Sequence, residues 1–577
     1  MATSSKKDTN VVRIPSGVNM AHNPFTFGNT ESYTTALTPS FLKYGGLLIN
    51  GLAESYPDPM TGKILKRWIP RPILTMLRST APSGTSMNTG ENIRGVIPSL
   101  LADEVFVLHT VSGGNDGVIS VMAAETPELN GGSVTGLSSN AFLGGTELFD
   151  GTQEDFIVSV GLVRPYIYNG SFTQIADTDC PSGSGTSPHL AYMDGAIFIA
   201  KNYSIYNSEF AAPTSWPGYA RHKEQYPDQI YALAKHKNSI VAFAENSIEF
   251  FFNAGYSGTS PLNRQESFAS RIGYGIYPWF HKKNFVVSGE ELYFIGKGGN
   301  SSLNRGFFVI DNFRISKIST SFIDTILDRA ILVGPMSAFT YRGHNLISIV
   351  VRTVAVAQSN AIAQTSRMEF SLIYDINEKT WSIWTARGYS TQSTKAFNLG
   401  ETSGANYCQA FPLEYIVTNR NFPSFGYHVD NRRVFHLQDP SIEYTGDGTA
   451  GTGGDIDTPV FSDYKTSLVA GTTVDFLIRY PTIDFGSMKE KYISRAYLVG
   501  LQNLDSGTPA DISTFVFNSV YKESTGAYPT AIATKSYDDS MINNLSTGRK
   551  FIIEHQWTGN TLTGMDALEL HVIEGEN

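Results

Sequence analysis

The sequence lacks several features that define common protein classes. Only two of its 577 residues are cysteines, Cys180 and Cys408, and they lie far apart in the chain. Two distant cysteines give neither a disulfide framework nor a metal-binding cluster, so we expect free thiols. No apolar run reaches the length of a membrane span, and the opening MATSSKKDTN lacks the apolar core of a signal peptide. We therefore expect no membrane span and no secretory leader.

Charged residues are also scarce, and the balance is acidic. They make up 17% of the chain, and the formal net charge is −10. Tight binding of DNA through its phosphates needs an excess of Lys and Arg, because counterion release supplies most of the affinity. An acidic surface would instead let a passing duplex slide without sticking. The alternative is that this charge serves ordinary solubility.

Sequence motifs for nucleotide binding, hydrolysis or metal binding are missing. The chain has no GxxxxGK[ST], HExxH or GxSxG segment. A literal GxGxxG occurs at residues 446–451, but no helix pattern follows it, and a dinucleotide site needs that helix. Asp447, Asp455 and Asp457 lack the spacing of a known calcium loop. We expect no cofactor and no metal, and we expect structural roles for the histidines at predicted strand edges: His109, His189, His281 and His344.

Short β segments, in contrast, are abundant. Runs of Val, Ile, Phe and Tyr alternate with Gly, Asn and Ser turn signals. From residue 104 to about 419 a module of three or more strands recurs at a spacing of roughly 40–50 residues, which is typical of propeller blades. The turn from Asp375 to Trp381 is of a kind that many blades share. The pattern predicts an all-β fold with a β-propeller of about six or seven blades.

Three domains are predicted. Residues 1–100 are rich in proline and indicate an irregular, extended N-terminal arm. Residues 101–445 form the propeller, and residues 458–577 form a C-terminal β region, which is either a terminal sandwich or a set of strands that complete the propeller. The arm carries a basic group that is either a solvated face or a docking segment for a neighbouring subunit or adaptor: Lys63, Lys66, Arg67, Arg71 and Arg78.

Residues 239–319 carry an unusual order of motifs. A hairpin reads SIEFFFNAG, an R-x-G segment follows, a strand of aromatic and apolar residues ends on glycine, and an RIS strand precedes a helix-like pattern over residues 322–329. This order resembles the tail nozzle, or tail accessory factor, of short-tailed bacteriophages, proteins similar to the packaged-DNA stabilisation protein of P22-like phages. The residues that carry the resemblance are Ser247, Ile248, Glu249, Phe250, Phe251, Phe252, Asn253, Gly255, Arg271, Gly273, Gly296 and Arg314. Because Glu249 alternates with Ile248 and Phe250, we expect it to face solvent or a neighbouring subunit.

The resemblance implies a structural virion protein without enzymatic activity. It implies a hexameric ring below the portal and adaptor, which extends and seals the DNA channel and opens for genome ejection into the host. The implied partners are the adaptor or head-to-tail connector, tail fibre or spike and needle proteins, and double-stranded DNA in the lumen. The implied location is the virion tail, after assembly in the bacterial cytoplasm. The loop with Tyr256, Asn263 and Arg264 is a candidate channel gate or, alternatively, a crossover between blades.

A second function is compatible with a propeller in a phage tail. A receptor-binding or glycan-degrading protein would need two carboxylates roughly 5–10 Å apart, or an arginine cluster that holds a carboxylated sugar. The sequence does not say which carboxylates converge. The candidates are Glu249, Glu290, Glu291, Asp311 and Asp375.

Overall fold

The structure is a computed structural model of the chain, and almost all of its regular elements are β-strands. It describes residues 9–20, 46–58, 61–76, 93–99, 104–110, 117–123, 133–138, 142–149, 154–223, 225–255, 258–274, 283–298, 304–354, 367–384, 415–417, 425–427, 434–438, 475–481, 483, 485, 489–503, 512–517, 533–536, 541–558 and 562–575.

The strands follow one another along the described chain. The first five are β1 (Thr9–Pro15), β2 (Leu47–Ile49), β3 (Gly51–Pro57), β4 (Ile64–Pro70) and β5 (Ile73–Met76). The next sixteen are β6 (Ile93–Pro98), β7 (Glu104–Thr110), β8 (Gly117–Ala123), β9 (Val134–Leu137), β10 (Gly144–Phe149), β11 (Glu154–Ser159), β12 (Tyr166–Tyr168), β13 (Phe172–Gln174), β14 (Ala191–Met193), β15 (Ala196–Lys201), β16 (Ser204–Asn207), β17 (Ala220–His222), β18 (Ile230–His236), β19 (Ser239–Ala244), β20 (Ile248–Asn253) and β21 (Leu262–Arg264).

The remaining strands reach residue 574. Those before residue 440 are β22 (Ile272–Tyr274), β23 (Phe285–Ser288), β24 (Glu291–Gly298), β25 (Arg305–Asp311), β26 (Arg314–Lys317), β27 (Ala330–Tyr341), β28 (His344–Val354), β29 (Arg367–Asp375), β30 (Thr380–Trp384), β31 (Tyr415–Val417), β32 (Phe425–Tyr427) and β33 (Val434–Gln438). Those after it are β34 (Asp475–Arg479), β35 (Lys491–Val499), β36 (Gln502–Asn503), β37 (Ser513–Phe517), β38 (Ala533–Ser536), β39 (Met541–Gly548), β40 (Ile552–Thr558), β41 (Leu562–Gly564) and β42 (Ala567–Glu574).

Seven antiparallel sheets follow one another as propeller blades. Blades one to six are β6–β9, β10–β13, β14–β17, β18–β21, β22–β26 and β27–β30, and blade seven is β31–β33 with β5. The inner strands of neighbouring blades contact each other along the series, and β31 of blade seven contacts β6 of blade one. The described strands therefore close a ring, which confirms the predicted propeller and gives it seven blades.

Strand β5 closes this ring. It pairs antiparallel with β33, with Leu74 opposite Leu437, and so adds the outermost strand to the last blade. The chain then continues into β6, the inner strand of blade one. A ring closed in this way hides sheet edges that would otherwise pair with other chains.

The two faces of the propeller are distinguished by their turns. Strand direction alternates within a blade, so the turns between the first and second strands and between the third and fourth strands lie on one side. We call this side the lower face. The turns between the second and third strands, and the crossovers between blades, lie on the upper face.

Apolar side chains fill the spaces between blades. Both faces of a blade contribute, because each blade packs between two others. In blade four, for example, Phe251 packs toward blade three, whereas Ile248 and Phe250 pack toward blade five. Between blades five and six lies a helix, α1 (Ser321–Arg329), which agrees with the helix pattern predicted over residues 322–329.

The remaining strands form a β-sandwich. One sheet has the order β1–β42–β35–β39, and the other has the order β2–β34–β40–β37–β38 and continues from β30 of blade six through β2. Trp68 of the β3–β4 hairpin is buried in the sandwich core, with its ring 4.8 Å from Trp557 and 5.6 Å from Phe476. The C-terminal region is thus a sandwich that is also hydrogen-bonded to the propeller.

The described parts of residues 1–100 do not form the irregular arm that the sequence predicts. Strands β1 and β2 belong to the sandwich, whereas β5 and β6 belong to the propeller. These short apolar strands find their partners at the far end of the chain, which a local pattern does not indicate. The propeller therefore begins before residue 101, at Ile73. The glycine-rich residues 444–457 lie outside the described residues, and the boundary there stays a prediction.

Candidate functional site in the crossover between blades three and four

A buried lysine stands at the centre of the sequence motif. Lys223 begins the crossover that leads from blade three to β18. Its Nζ lies 2.5 Å from Oδ1 of Asp228, 2.5 Å from Oγ of Ser247 and 3.5 Å from Oε1 of Glu249. One cation thus joins the crossover to two residues of the SIEFFFN hairpin.

Glu249 is buried, contrary to the expectation that it faces solvent or a neighbouring subunit. Its side chain is 0% exposed, because the strand that carries it packs between two blades. Burial raises the pKa of Glu249, and the neighbouring Lys223 partly offsets this effect. Oε1 accepts a hydrogen bond from the Tyr226 backbone N–H at 3.2 Å, whereas Oε2 has no hydrogen-bond partner among the described residues.

Asp228 also joins the crossover to the hairpin through hydrogen bonds. Its Oδ2 accepts a hydrogen bond from the Asn246 backbone N–H at 2.6 Å, and its Oδ1 accepts one from the Ser247 hydroxyl at 2.7 Å. Ordered carboxylate–backbone bonds of this kind fix a loop in one conformation. The turn between β19 and β20 is thereby held on the upper face.

The R-x-G segment lies against the same crossover. The guanidinium of Arg271 lies 5.4 Å from the centre of the Tyr226 ring. Gly273 approaches the β19–β20 turn so closely that a Cβ there would lie 2.2 Å from the carbonyl oxygen of Glu245. The structure therefore brings Ser247, Glu249, Arg271 and Gly273 together around one crossover. This arrangement fixes blades four and five to the end of blade three.

The other motif residues have separate positions. Asn253 donates from Nδ2 to Oδ2 of Asp194 in blade three at 3.1 Å and accepts from the Gly255 N–H at 2.9 Å. Gly296 leaves room for the ring of Phe308, to which a Cβ would come within 2.8 Å. Phe252 is half-buried on β20. Arg314 is exposed on β26, the outermost strand of blade five, and does not join the cluster.

The candidate gate residues lie at the outer edge of blade four. Asn263 and Arg264 belong to β21, the outermost strand, and Arg264 Nη2 lies 3.0 Å from Oε1 of Glu266. The segment that leads to them is the hairpin loop between β20 and β21, not a crossover between blades. Tyr256 lies outside the described residues.

Of the carboxylates considered for glycan cleavage, Glu290, Glu291 and Asp311 lie at the lower-face turns of blade five, whereas Glu249 and Asp375 are buried in other blades. Asp375 is buried, and its Oδ2 lies 2.5 Å from Nδ1 of His344, while its Oδ1 accepts two backbone N–H groups of the β29–β30 turn. Glu290 is exposed on the lower face, 3.4 Å from Lys237. Glu291 bonds to the Tyr293 hydroxyl on the same strand, and Asp311 bonds to Asn312. Within the described part of the chain, no group of three His, Cys, Asp or Glu residues could hold a metal ion.

A second charged cluster joins the sandwich to blade six. Glu54 of the β3–β4 hairpin lies 2.5 Å from Arg67 and 3.7 Å from Nε2 of His344. In the same hairpin, Lys66 bonds to Glu378 of the β29–β30 turn, and the Ser55 hydroxyl donates to that carboxylate at 2.6 Å.

The network shifts the pKa values of its members. Burial by itself would lower the pKa of His344, but the hydrogen bond to Asp375 and the nearby carboxylate of Glu54 raise it to about 9. The neighbouring imidazole of His344 lowers the pKa of Glu54.

Most of the basic group predicted for docking is used inside the chain. Lys66 and Arg67 belong to the charged cluster, and Arg71 is buried and donates to Oδ1 of Asn50. Lys63 is exposed, and Arg78 lies outside the described residues.

Lys223 and Asp228 are the site residues that sequence reasoning missed. Their only signal is a charged pair that brackets the turn residues Tyr226 and Pro227 just before an apolar strand.

Comparison with solved structures returns chains of low similarity, two of which are WD40 domains. The chain is similar to the WD40 domain of Toxoplasma gondii coronin, with 8% identity, TM-score 0.35, and coverage of 67% of this chain and 86% of that chain. It is also similar to the extracellular domain of the one component system BT4673 from B. thetaiotaomicron, with 10% identity, TM-score 0.35, and coverage of 89% and 62%. The Neurospora crassa Pan2 WD40 domain is similar with 9% identity and a TM-score of 0.34, and the match covers 62% of this chain and 91% of that chain.

No curated protein matches the chain. A family model does: residues 115–401, slightly less than half of the chain, match the family described as bacteriophage P22 Gp10, beta-propeller. The matched segment begins just before β8 of blade one, contains the whole crossover cluster, and extends beyond β30 of blade six. The match supports the identification of the chain as a bacteriophage structural β-propeller protein of the tail accessory kind.

Proposed function

We propose that this chain is a subunit of a phage tail nozzle. In this role it forms a ring, which we propose to be a hexamer, below the portal and adaptor. The ring extends the DNA channel, seals it while the genome is packaged, and opens for ejection into the host. The role is structural, and no reaction is assigned to the protein.

The observation that carries this proposal is the family match over residues 115–401. The fold is consistent with it. A propeller closed by β5, with blades held together by buried polar contacts, is a rigid body suited to bear load in an assembly. Strand β2 pairs with β30 of blade six on one side and with β34 of the sandwich on the other, so the propeller and the sandwich would move together.

The proposed partners follow from the proposed role. They are further copies of the chain, the adaptor or connector above the ring, and the fibre or spike and needle proteins below it. Double-stranded DNA passes through without tight binding, in keeping with a net charge of −10. The proposed location is the virion tail, after assembly in the bacterial cytoplasm. Within the described residues, no helix is long and apolar enough to cross a membrane.

The gate is proposed on the outer side of blade four. Asn263 and Arg264 lie on the outermost strand of that blade. If they border the DNA channel, that channel runs between the subunits of the ring and not along the axis of one propeller. Movement of Asn263 and Arg264 would then open or close it.

Negative-stain microscopy of the chain with and without the portal–adaptor complex tests the nozzle role. We expect a monomer when the chain is alone and a six-fold ring on the adaptor. A stable free trimer that binds or cuts surface glycan would favour a receptor-binding or depolymerising tail protein. Failure to dock on the adaptor would contradict the proposal.

A further inference from the structure

One aromatic side chain on the lower face is almost fully open to solvent. Phe210 is 77% exposed, and it lies in the loop between β16 and β17 of blade three. One side of its ring covers Gly195 in the β14–β15 turn, where a Cβ would come within 2.6 Å of Cε2. A large aromatic side chain on a rigid support can anchor a protein interface when a partner surface covers it.

The loop that carries Phe210 is firmly held. The Ala211 N–H donates to the Gly195 carbonyl, and the Glu209 N–H donates to the Ser215 carbonyl, each at 2.9 Å. Ala211 has φ of 50°, which is unfavourable for a residue with a side chain. The backbone N–H of Trp216 donates to Oδ2 of Asp177 at 2.8 Å and so fixes the later part of the loop. An aromatic held in this way loses little conformational entropy on binding.

A second exposed apolar residue, Ile64, lies on the opposite side of the lower face. Ile64 is 64% exposed and begins β4, directly after the tip of the β3–β4 hairpin. The hairpin runs along blade six toward its lower turn, because Gly51 bonds to Trp384 and Ser55 bonds to Glu378. Lys63 and Ile64 therefore lie on the lower-face side of blade six, three blade positions from Phe210.

Charge distinguishes the two patches. Exposed Glu209 and Asp194 accompany Phe210, and exposed Lys63 accompanies Ile64. A subunit of a closed ring needs two different, complementary patches on separate sides, because each copy contacts one neighbour with each patch. The Phe210 loop joins the two outer strands of blade three, and the hairpin lies beside β30, the outermost strand of blade six. The acidic aromatic patch and the basic aliphatic patch therefore lie on separate sides of the propeller and meet this requirement.

We propose that the Phe210 loop of one copy docks against the Lys63–Ile64 hairpin tip of the next copy of this chain. This inference rests on the proposed function, since it assigns the contact that would build the ring. The occupant of each patch is a second copy of the same chain, held by apolar contact between Phe210 and Ile64 and by attraction between Glu209 and Lys63.

Mixed crosslinking with the full chain tests the contact directly. Phe210→Cys and Ile64→Cys variants, carrying tags of different size, are mixed on the adaptor or at high concentration and mildly oxidised. We expect a disulfide-linked pair that contains one copy of each variant. The matched control is Tyr203→Cys, since Tyr203 is 51% exposed on the upper face of the same blade. Mixed with Ile64→Cys, it should give no such pair.

Charge reversal tests the contact without cysteines. Glu209→Lys and Lys63→Glu should each reduce ring formation at least severalfold, and the double variant should restore it. A normal ring in all three, or a Phe210→Cys pair with itself in place of the mixed pair, would overturn the inference while the nozzle role stands. If the unmodified chain forms no ring on the adaptor, the proposed function itself fails.

Discussion

Lys223 and Glu249 form a fully buried ion pair, with Nζ and Oε1 3.5 Å apart and both side chains 0% exposed. The pair links the end of blade three to the hairpin of blade four that carries the family-like sequence. Lys223 has a second carboxylate in Asp228, whereas Oε2 of Glu249 has no partner among the described residues. The two members are therefore expected to respond differently to substitution.

Lys223→Met should be the more damaging change. It would leave Glu249 buried without its cation, and an uncompensated buried charge costs about 3–5 kcal/mol. Glu249→Gln should cost less, because Lys223 keeps Asp228 and Ser247. Urea unfolding curves measure both free energies of unfolding, with Lys235→Met, which changes an exposed lysine of β18, as the matched control. Equal losses in the two variants would contradict the asymmetry.

The histidine between the sandwich and blade six should make stability fall in mild alkali. The pKa of His344 is raised from 6.5 to about 9 in the folded chain. The protonated form is therefore favoured by folding. Its contribution is complete below pH 6.5 and is lost as pH rises through 9, with a magnitude on the order of 3 kcal/mol.

Unfolding of wild type and His344→Gln from pH 6 to 9.5 measures this effect. The fall in the free energy of unfolding between pH 6.5 and 9 should be largely missing in His344→Gln. His222→Gln, which changes an exposed histidine of blade three, should retain it. A fall of the same size in His344→Gln would assign the pH dependence to other groups.

Gly273 should tolerate no side chain. A Cβ at this position would lie 2.2 Å from a backbone oxygen and 2.8 Å from the Cα of Asn246, and backbone moves less readily than a side-chain end. Gly273→Ala should therefore destabilise the chain by about 1–3 kcal/mol. Gly298, which pairs with Ile272 on the neighbouring strand, offers a control, since its nearest foreign atom would be 3.8 Å away. Thermal unfolding should separate the two variants, and similar midpoints would refute the steric argument.

Strand β5 should matter more than other outermost strands. Proline removes a backbone donor from the ladder, so Leu74→Pro with Thr75→Pro should detach β5 from β33 at a cost on the order of 2–4 kcal/mol. Thr173→Pro with Gln174→Pro in β13 makes the matching double change in an outermost strand that closes nothing. Limited proteolysis should cut the first variant throughout the propeller and the second only in blade two. Equal resistance would argue against closure by β5.

DNA should not bind tightly to the isolated chain. Proteins that hold DNA without sequence preference have Kd values of about 10⁻⁴–10⁻⁶ M, which weaken steeply with salt. With a net charge of −10, this chain should bind a duplex more weakly and with little dependence on salt. A salt titration by fluorescence anisotropy measures both quantities. Micromolar binding that is lost at high salt would contradict a sliding channel.

The sequence predicts the propeller better than it predicts the site. Turn signals and alternating apolar residues reveal the blade hairpins and the helix at Ser321–Arg329 because these are local features. The same alternation misleads for Glu249. An interpretation from alternation assumes that each strand has one solvent-exposed face, whereas a propeller strand is buried on both faces.

Distant pairings escape a local pattern for a related reason. Strands such as β2 and β5 have only three or four residues, and their partners lie hundreds of residues away. Nothing in their immediate neighbourhood specifies those partners. The Lys223 contact is missed in the same way, because its partner strand begins only after a further hairpin.

The pairing of β1 with β42 bears on how the protein is made. Thr9 to Pro15 lie along Ile573 to Ala567, so nearly the whole sequence separates the two strands. At about 5–20 residues per second, a ribosome needs roughly half a minute to two minutes to span that interval. The sheet β1–β42–β35–β39 cannot be complete until translation reaches β42, which lies between β1 and β35. A chain cut short by a premature stop codon before β42 would therefore leave β1 without the strand it pairs with.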